Sequence, residues 1–384
     1  MIKYYWILLC IIIIGCTAPK PFLNTLEQTD NALLKKVFEK PEMYELQIIY
    51  SEIVRKPNGV VEFKDHTYHL NDSLYFYPAS TVKLPVAILA LEKLNDFKEN
   101  KGFQISKETP YRIEGDSIFY TVKKDVEAIF AVSDNEAFNR LFEFLGQDKI
   151  NSTLNAKGLS PVRIAHRLSA NDAFNLKTKQ ITFITDNNKD SAKSILPISY
   201  NSEIKNLELK AIRKGNGYYQ NDTLVNAPFD FSLKNYFPLR VQHNLMKHLF
   251  FPNNFSNSSR FNIDNEDRNF LLKAMSQLPK EAGYDVEEYY DSYGKFFMFG
   301  DSKQPIPENI KIYNKVGYAY GTLTETAYIQ DESNNVEFLL SATILVNKNG
   351  IFNDDEYEYD SIGIPFFAEL GRTLYAHELQ KKRN

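Results

Sequence analysis

The sequence predicts an α+β protein, and three observations carry that prediction. Two runs rich in β-branched and aromatic residues, Tyr44 to Arg55 and Val60 to Leu70, flank the turn signal Pro57-Asn58-Gly59 early in the chain. Three more, Ile310 to Tyr318, Thr322 to Gln330 and Val336 to Val346, follow one another late in it, with Gly321 and Asn334-Asn335 at the turns. Between and after them apolar residues recur at helical spacing. Strands at both ends of a chain, separated by helices, are expected to share one antiparallel sheet flanked by helices.

The elements follow in order. Lys3 and a short polar start precede the apolar run Trp6 to Ile14, which is too short to span a bilayer and suits a signal-peptide core. Ile13-Ile14-Gly15-Cys16 resembles the lipobox of bacterial lipoproteins, which implies cleavage before Cys16 and a lipid on its thiol. By that resemblance residues 1–15 are a signal peptide and 16–30 a linker, and the protein is exported and held at a bacterial envelope membrane, facing periplasm or surface. Cys10 falls in the removed part, so the mature domain is expected to have no disulfide and to rest on packing alone.

Residues 31–384 read as one domain, with no Gly/Ser-rich or Pro-rich linker inside it. A hydrophobic fraction of 43% with 14% aromatics is enough to bury a large core. A net charge of -4 without any basic stripe excludes a nucleic-acid footprint. Helices are expected at Leu33 to Phe38, from Ser80 to near Asn95, at Glu136 to Leu145 up to Gly146, at Val241 to Phe250, at Glu266 to Leu278, and from Ile364 to about Lys381. Asp172 to Phe237 is the least regular stretch, and Lys214-Gly215-Asn216-Gly217 there reads as a hairpin turn.

Three short strings carry the chemistry: Ser80-Thr81-Val82-Lys83, Ser133-Asp134-Asn135 and Lys315-Val316-Gly317. The first sets a hydroxyl and an amine one turn apart at the start of a strongly apolar helix, where a buried lysine needs a reason. The second offers a hydroxyl and an amide, and the third a cation beside a glycine in a strand. Together they read as an acyl-transfer site.

In that order and setting the strings resemble those of the class A β-lactamase family, within the wider group that includes penicillin-binding transpeptidases and carboxypeptidases. The likeness runs from about Asp30 to the last helix, outside Asp172 to Phe237. It implies a five-stranded antiparallel sheet covered by helices, plus an all-helical lobe carrying Ser80 and the Ser133 loop. It also implies roles: Ser80 as nucleophile, Lys83 as its base, Ser133 as proton relay to the leaving group, Asn135 holding the substrate amide and Lys315 its carboxylate. The Ser80 and Tyr318 N–H groups would form the oxyanion hole beside Gly317, while Asp134 orders its loop. Lys83 is a base only when uncharged, so its pKa must fall from about 10.4 toward 7 or 8; burial and the charge of Lys315 are expected to push that way.

Three departures from the family pattern stand out. Val316 occupies the place of a Thr or Ser whose hydroxyl helps hold the carboxylate, and Thr322 or Thr324 is the expected substitute. Arg163-Ile164-Ala165-His166-Arg167-Leu168-Ser169 matches the loop whose Glu activates the deacylating water, yet it contains no acid. Only His166 offers a base there, against a plain packing role. The long interval from Ser133 to Lys315 implies an insertion around 183–237 that caps or reshapes the cleft.

No cofactor and no metal is expected. His66 and His69 are three apart in a strand, and His243 and His248 are five apart on a helix, so neither pair is spaced as ligands. Asp354-Asp355-Glu356 with Glu358 and Asp360 lacks the spacing of a Ca²⁺ loop and reads as a solvated loop. The pairs Tyr218-Tyr219 and Tyr289-Tyr290 read as core or cleft lining.

The reading is a monomeric, lipid-anchored serine hydrolase for a β-lactam or cell-wall peptide. Two alternatives stay open: a penicillin-binding or peptidoglycan-peptide hydrolase with slow β-lactam turnover, and a non-catalytic lipoprotein that binds cell-wall fragments or senses antibiotic.

Overall fold

The structure, a computed structural model, describes residues 23, 26, 29–57, 59–101, 105–185 and 193–383. The signal peptide and Cys16 lie outside the described residues. Helix α1 (Ala32–Phe38) starts where the Asn31 side-chain Oδ1 accepts from the N–H groups of Leu33 and Leu34, both at 3.0 Å. Strands β1 (Gln47–Arg55) and β2 (Val61–Tyr68) form the expected antiparallel hairpin. A 3-10 turn (Ala79–Val82) feeds helix α2 (Lys83–Lys101), and Pro85 is accommodated because it falls in the first turn.

Strand β3 (Tyr111–Ile113), helix α3 (Val122–Ala131), helix α4 (Asn135–Leu145) and helix α5 (Gln147–Ala156) complete the helical lobe. Strand β4 (Ile181–Ile184) pairs with β3 on one side and with β5 (Lys193–Leu196) on the other. Then come β6 (Arg213–Lys214), β7 (Gly217–Gln220), β8 (Thr223–Val225) and β9 (Phe229–Asp230), followed by α6 (Leu239–Phe250) and α7 (Asn265–Ser276). The chain closes with β10 (Ile310–Ala319), β11 (Thr322–Asp331), β12 (Val336–Leu345), β13 (Ile351–Phe352) and α8 (Ile364–Arg383).

The main sheet has five antiparallel strands in the order β10-β11-β12-β1-β2, so the two ends of the chain meet at the β12–β1 pair. Both faces of the sheet are covered. On one side α2, α3, α4 and α6 bury Leu91, Phe138, Phe142 and Leu245 together with Tyr328 and Leu339 of the sheet. On the other, α1 and α8 bring Val37, Phe366, Phe367 and Leu370 against Ile48, Ile329 and Leu340. Each fully buried side chain of this size stabilises the fold by about 1.5–3 kcal/mol. Strand β11, between the edge strand β10 and the central strand β12, is buried at every position but Gln330.

Two features depart from the sequence reading. The Ser80 helix runs to Lys101, six residues beyond the expected end near Asn95. The Lys214–Gly217 stretch is not a hairpin: β6 pairs with β9, while β7 pairs with β8 and, in parallel, with β13. The hairpin turn nearby is Asn221-Asp222, both with positive φ (48° and 59°). The Gly215 position explains the difference, since a Cβ there would lie 2.4 Å from the Gly350 oxygen; this chain bends to pack on a distant loop, not on itself.

Candidate active site

Ser80 sits on the 3-10 turn, directly after Ala79, whose φ of 46° is a left-handed conformation that costs a non-glycine residue about 1–3 kcal/mol. Ser133, with φ 57°, is the second such residue at the site. Its loop is held by Asp134, which caps α4 by accepting from the Ala137 N–H at 2.7 Å, so Asp134 has the ordering role expected of it.

Strand β10 is the edge of the sheet and passes against the Ser80 turn. Only glycine permits that approach: a Cβ on Gly317 would fall 2.7 Å from the Ser80 nitrogen and 2.8 Å from the Pro78 oxygen. The hairpin to β11 turns at Tyr320-Gly321, both with positive φ (54° and 72°), and closes on the pair Ala319–Thr322. Alternate residues of an antiparallel pair share the ladder bonds, so Ala319 and Gly317 point theirs at β11 and the Tyr318 N–H points outward, to the cleft side that Ser80 occupies.

Four predicted residues converge. Lys83 is wholly buried; its ammonium donates to the Ser133 carbonyl oxygen, to Asn135 Oδ1 at 2.7 Å and to Ser133 Oγ at 3.3 Å. Lys315, also buried, donates to the same Ser133 Oγ at 2.8 Å and to the Val316 oxygen at 2.8 Å. The Ser133 hydroxyl thus stands between two amines. Ser80, Ser133, Asn135, Lys315, Gly317 and Tyr318 all wall one cleft of about 230 Å³.

Burial dictates the electrostatics. The Lys83 amine is lowered to about 7 by desolvation, with the Asp134 charge partly opposing. The expected push from Lys315 is not what lowers it; the coupling appears instead at Lys315, held well below the ordinary lysine value by burial first, then by Lys83 and Lys295. A neutral Lys83 keeps two N–H groups, which its two carbonyl acceptors use, and one lone pair, free to take a hydroxyl proton.

Behind Lys315 lies a buried polar array that the motifs do not announce. Lys295 Nζ donates to the Met275 oxygen and Asn314 Oδ1, both at 2.7 Å; Asn314 Nδ2 donates to Glu325, and Glu325 also accepts from the Phe297 N–H at 2.7 Å. Asn314 directly precedes Lys315 and lines the cleft.

The expected substitutes for a hydroxyl at position 316 are not in the cleft. Thr324 is buried against Thr343 (2.8 Å between hydroxyls), Thr322 is buried at the hairpin end, and Val316 itself joins the apolar core. The tyrosines that line the cleft are Tyr293 and Tyr318, and Tyr293 was not singled out by the sequence. In the matching loop His166 donates from Nδ1 to the Arg167 oxygen (2.6 Å), which leaves Nε2 the acceptor, buried and without a partner in the structure. Burial lowers its pKa to about 4, so the ring is neutral. Ser169 Oγ of the same loop accepts from Asn135 Nδ2 at 3.0 Å. His243 bridges Ser51 (2.7 Å) and Ser341 (2.9 Å), far from the cleft. No group of three or more His, Cys, Asp or Glu among the described residues is arranged to hold a metal.

A five-stranded sheet, a helical lobe and a Ser/Lys/Ser/Lys cluster between them define a protein of the β-lactamase fold. Residues 55–196, which carry Ser80, Lys83, Ser133 and Asn135, match the model of the family described as "Beta-lactamase enzyme family". The structure is similar to a halotolerant bacterial β-lactamase (13% identity, TM-score 0.50), with 91% of this chain and 99% of that one covered. It is also similar to a class A β-lactamase from Mycobacterium abscessus (12% identity, TM-score 0.48), over 89% of this chain and 98% of that one. No curated protein matches the chain. The β-lactamase resemblance read from the motifs is matched by the family model over the residues that hold the first two of them, and by the fold.

Proposed function

We propose that this β-lactamase-like serine hydrolase is acylated on Ser80 by a β-lactam or related amide, and then hydrolyses the acyl-enzyme. One observation carries the reading: the Ser133 hydroxyl is shared by two buried amines in the cleft that Ser80 lines. A lysine lowered to about 7 is half neutral at physiological pH and is matched to general-base work. In this reading Lys83 takes the Ser80 Oγ proton as Oγ bonds to the carbonyl carbon, and the oxyanion forms against the Ser80 and Tyr318 N–H groups. Breaking the C–N bond requires a proton on nitrogen, which passes from Lys83 through Ser133 Oγ. Asn135 and Lys315 hold the amide and the carboxylate.

The test is a time course of intact mass after mixing with a chromogenic cephalosporin and a fluorescent penicillin. Wild type gains one acyl adduct and Ser80→Ala none; an unlabelled wild type sinks the proposal.

A second reading, a penicillin-binding or peptidoglycan-peptide hydrolase with slow β-lactam turnover, is favoured by one feature. Among the described residues, no carboxylate lines the motif cleft, and Asp355 alone lines the groove beside it. The same time course separates the two through the lifetime of the adduct.

We further propose attachment to a membrane through lipidated Cys16, on the sequence signal alone. The N-terminal peptide of the native protein is expected to begin at Cys16 with acyl mass added; an unmodified or different N-terminus refutes it.

A further inference from the structure

The motif cleft opens into a larger groove of about 680 Å³, and Ser80, Asn135 and Tyr318 wall both. Lys315 lies on the first side of that junction. On the other side the walls are aromatic, including Tyr77, Phe174, Tyr320 and Tyr357, and they hold one lysine, Lys234. Lys234 comes from the stretch before Phe237 that no motif explains.

Its ammonium lies 5.3 Å from the Phe174 ring centre and 5.8 Å from that of Tyr320. No carboxylate among the described residues stands within 4.0 Å of it, and burial is the sole cause that moves its pKa, downward. Asp355, exposed elsewhere in the groove wall, forms no ion pair with it. The lysine is held in place by its backbone: its N–H donates to the Phe231 oxygen at 2.9 Å, its carbonyl accepts from Arg163, and Phe231 is anchored in a cluster with Tyr75, Tyr77 and Phe352. A partly desolvated cation near two aromatic rings is stabilised by them only in part, and an anion brought into the groove supplies what is missing.

We propose that Lys234 is the anion-binding point of a subsite for the acyl half of the substrate, so that the favoured acyl donor carries a second carboxylate besides the one Lys315 receives. The inference rests on the acylation of Ser80 proposed above. Asn135 at the junction fixes the direction: an amide held there sends its acyl substituent into the groove, away from Lys315. The aromatic walls accept the apolar part of that substituent and Lys234 its charged end. A neutral substituent of the same length fills the walls and leaves the cation unpaired, so the two are discriminated by charge.

The experiment compares 7-aminocephalosporanic acid carrying a glutaryl or a pentanoyl side chain, which differ only in a terminal carboxylate. Acylation rates are measured on wild type, Lys234→Met, Lys234→Glu and Lys234→Arg, and equilibrium binding on Ser80→Ala, which needs no bond to form. The glutaryl compound is expected to react about tenfold faster than the pentanoyl one at low salt. Lys234→Met erases that ratio, Lys234→Glu inverts it and Lys234→Arg keeps it; because ratios are read within one variant, partial misfolding cancels. Equal rates in wild type, or a preference that survives Lys234→Met, overturns the subsite. If neither compound labels wild type, the acylation reading fails, and Ser80→Ala binding decides the subsite separately: tighter glutaryl binding upholds it, and equal or no binding of the pair overturns it.

Discussion

Gly317 and Ser80 meet backbone to backbone, with room for a hydrogen but not for a methyl group between them. The atoms that a Cβ would strike at 2.7–2.9 Å are the Ser80 and Thr81 nitrogens and the Pro78 oxygen, none of which can swing aside as a side chain does. Gly317→Ala must therefore push β10 away from the Ser80 turn and spread the two N–H groups assigned to the oxyanion. Misplacement by about 1 Å costs on the order of 10²-fold in rate. The expected outcome is a penicillin labelling rate lowered about 10²-fold with the far-UV circular dichroism unchanged; a rate within threefold of wild type would show that the contact is not what sets the geometry.

Lys83 links activity and stability through one proton. With its folded pKa at about 7, acylation should rise tenfold per pH unit below that value and level off above it. The stability consequence has a definite sign. The folded pKa lies below the unfolded one, so between about pH 7 and the ordinary lysine value the unfolded chain binds more protons, and stability rises with pH across that window. Below it both states carry the charge and the cost of burial is at its full size. Lys83→Met should thus abolish acylation and, although the Ser133 and Asn135 oxygens lose a donor, remove the pH-linked cost of burying a charge, so that its stability relative to wild type is higher at pH 6 than at pH 10 by roughly 1–4 kcal/mol. Thermal melts at the two pH values, beside a labelling assay, check both halves.

Much of this site was legible in the sequence because its signals are local. A Ser-Lys pair at the head of an unbroken apolar helix and a Ser-Asp-Asn string between two helical runs need no tertiary information. The late strands were equally open to reading, since β10, β11 and β12 are separated by clear turn signals. What escaped depends on packing between distant segments. The strands from Arg213 to Asp230 are two to four residues long, too short for periodicity, and β7 finds its parallel partner β13 far along the chain. Thr324 was a plausible cleft hydroxyl by position, but the sheet turns it toward Thr343. Lys234 is meaningful only once Phe174 and Tyr320, from two other segments, are brought near its ammonium.

Deacylation should be the slow step. Water that attacks the ester needs a base, and the matching loop offers only His166, whose acceptor Nε2 is shut off from solvent; the Phe174 ring lies 5.0 Å from the imidazole. A chromogenic cephalosporin is expected to give a burst of one product per enzyme followed by a much slower steady state. Linear product formation from the first turnover onward would contradict this. His166→Asn keeps a donor for the Arg167 oxygen and removes the basic nitrogen, so if the ring contributes to turnover, the slow phase falls while the burst is preserved.

Lys295 should control the pH range over which a carboxylate is held. Its charge is one of the causes that keep Lys315 well below the ordinary lysine value, after burial and Lys83, and Lys315 must be protonated to pair with a carboxylate. Lys295→Met takes away a nearby cation, so the Lys315 amine binds its proton more tightly. Glu325, pushed up to about 8 by burial, already carries its proton over most of the neutral range, so in the variant it neither stands as an unpaired buried charge nor withdraws much of the negative charge that raises Lys315. The Asn314 Oδ1 and Met275 oxygens lose a donor, at about 1–3 kcal/mol each, which lowers the melting temperature. That loss alone does not move a titration. The diagnostic quantity is the alkaline limb of 1/KM for a carboxylate-bearing penicillin, expected to move up by roughly half to one pH unit, since one unit is only about 1.4 kcal/mol of interaction. A limb that stays in place while stability falls would assign Lys295 to packing and leave the tuning of Lys315 to burial and Lys83.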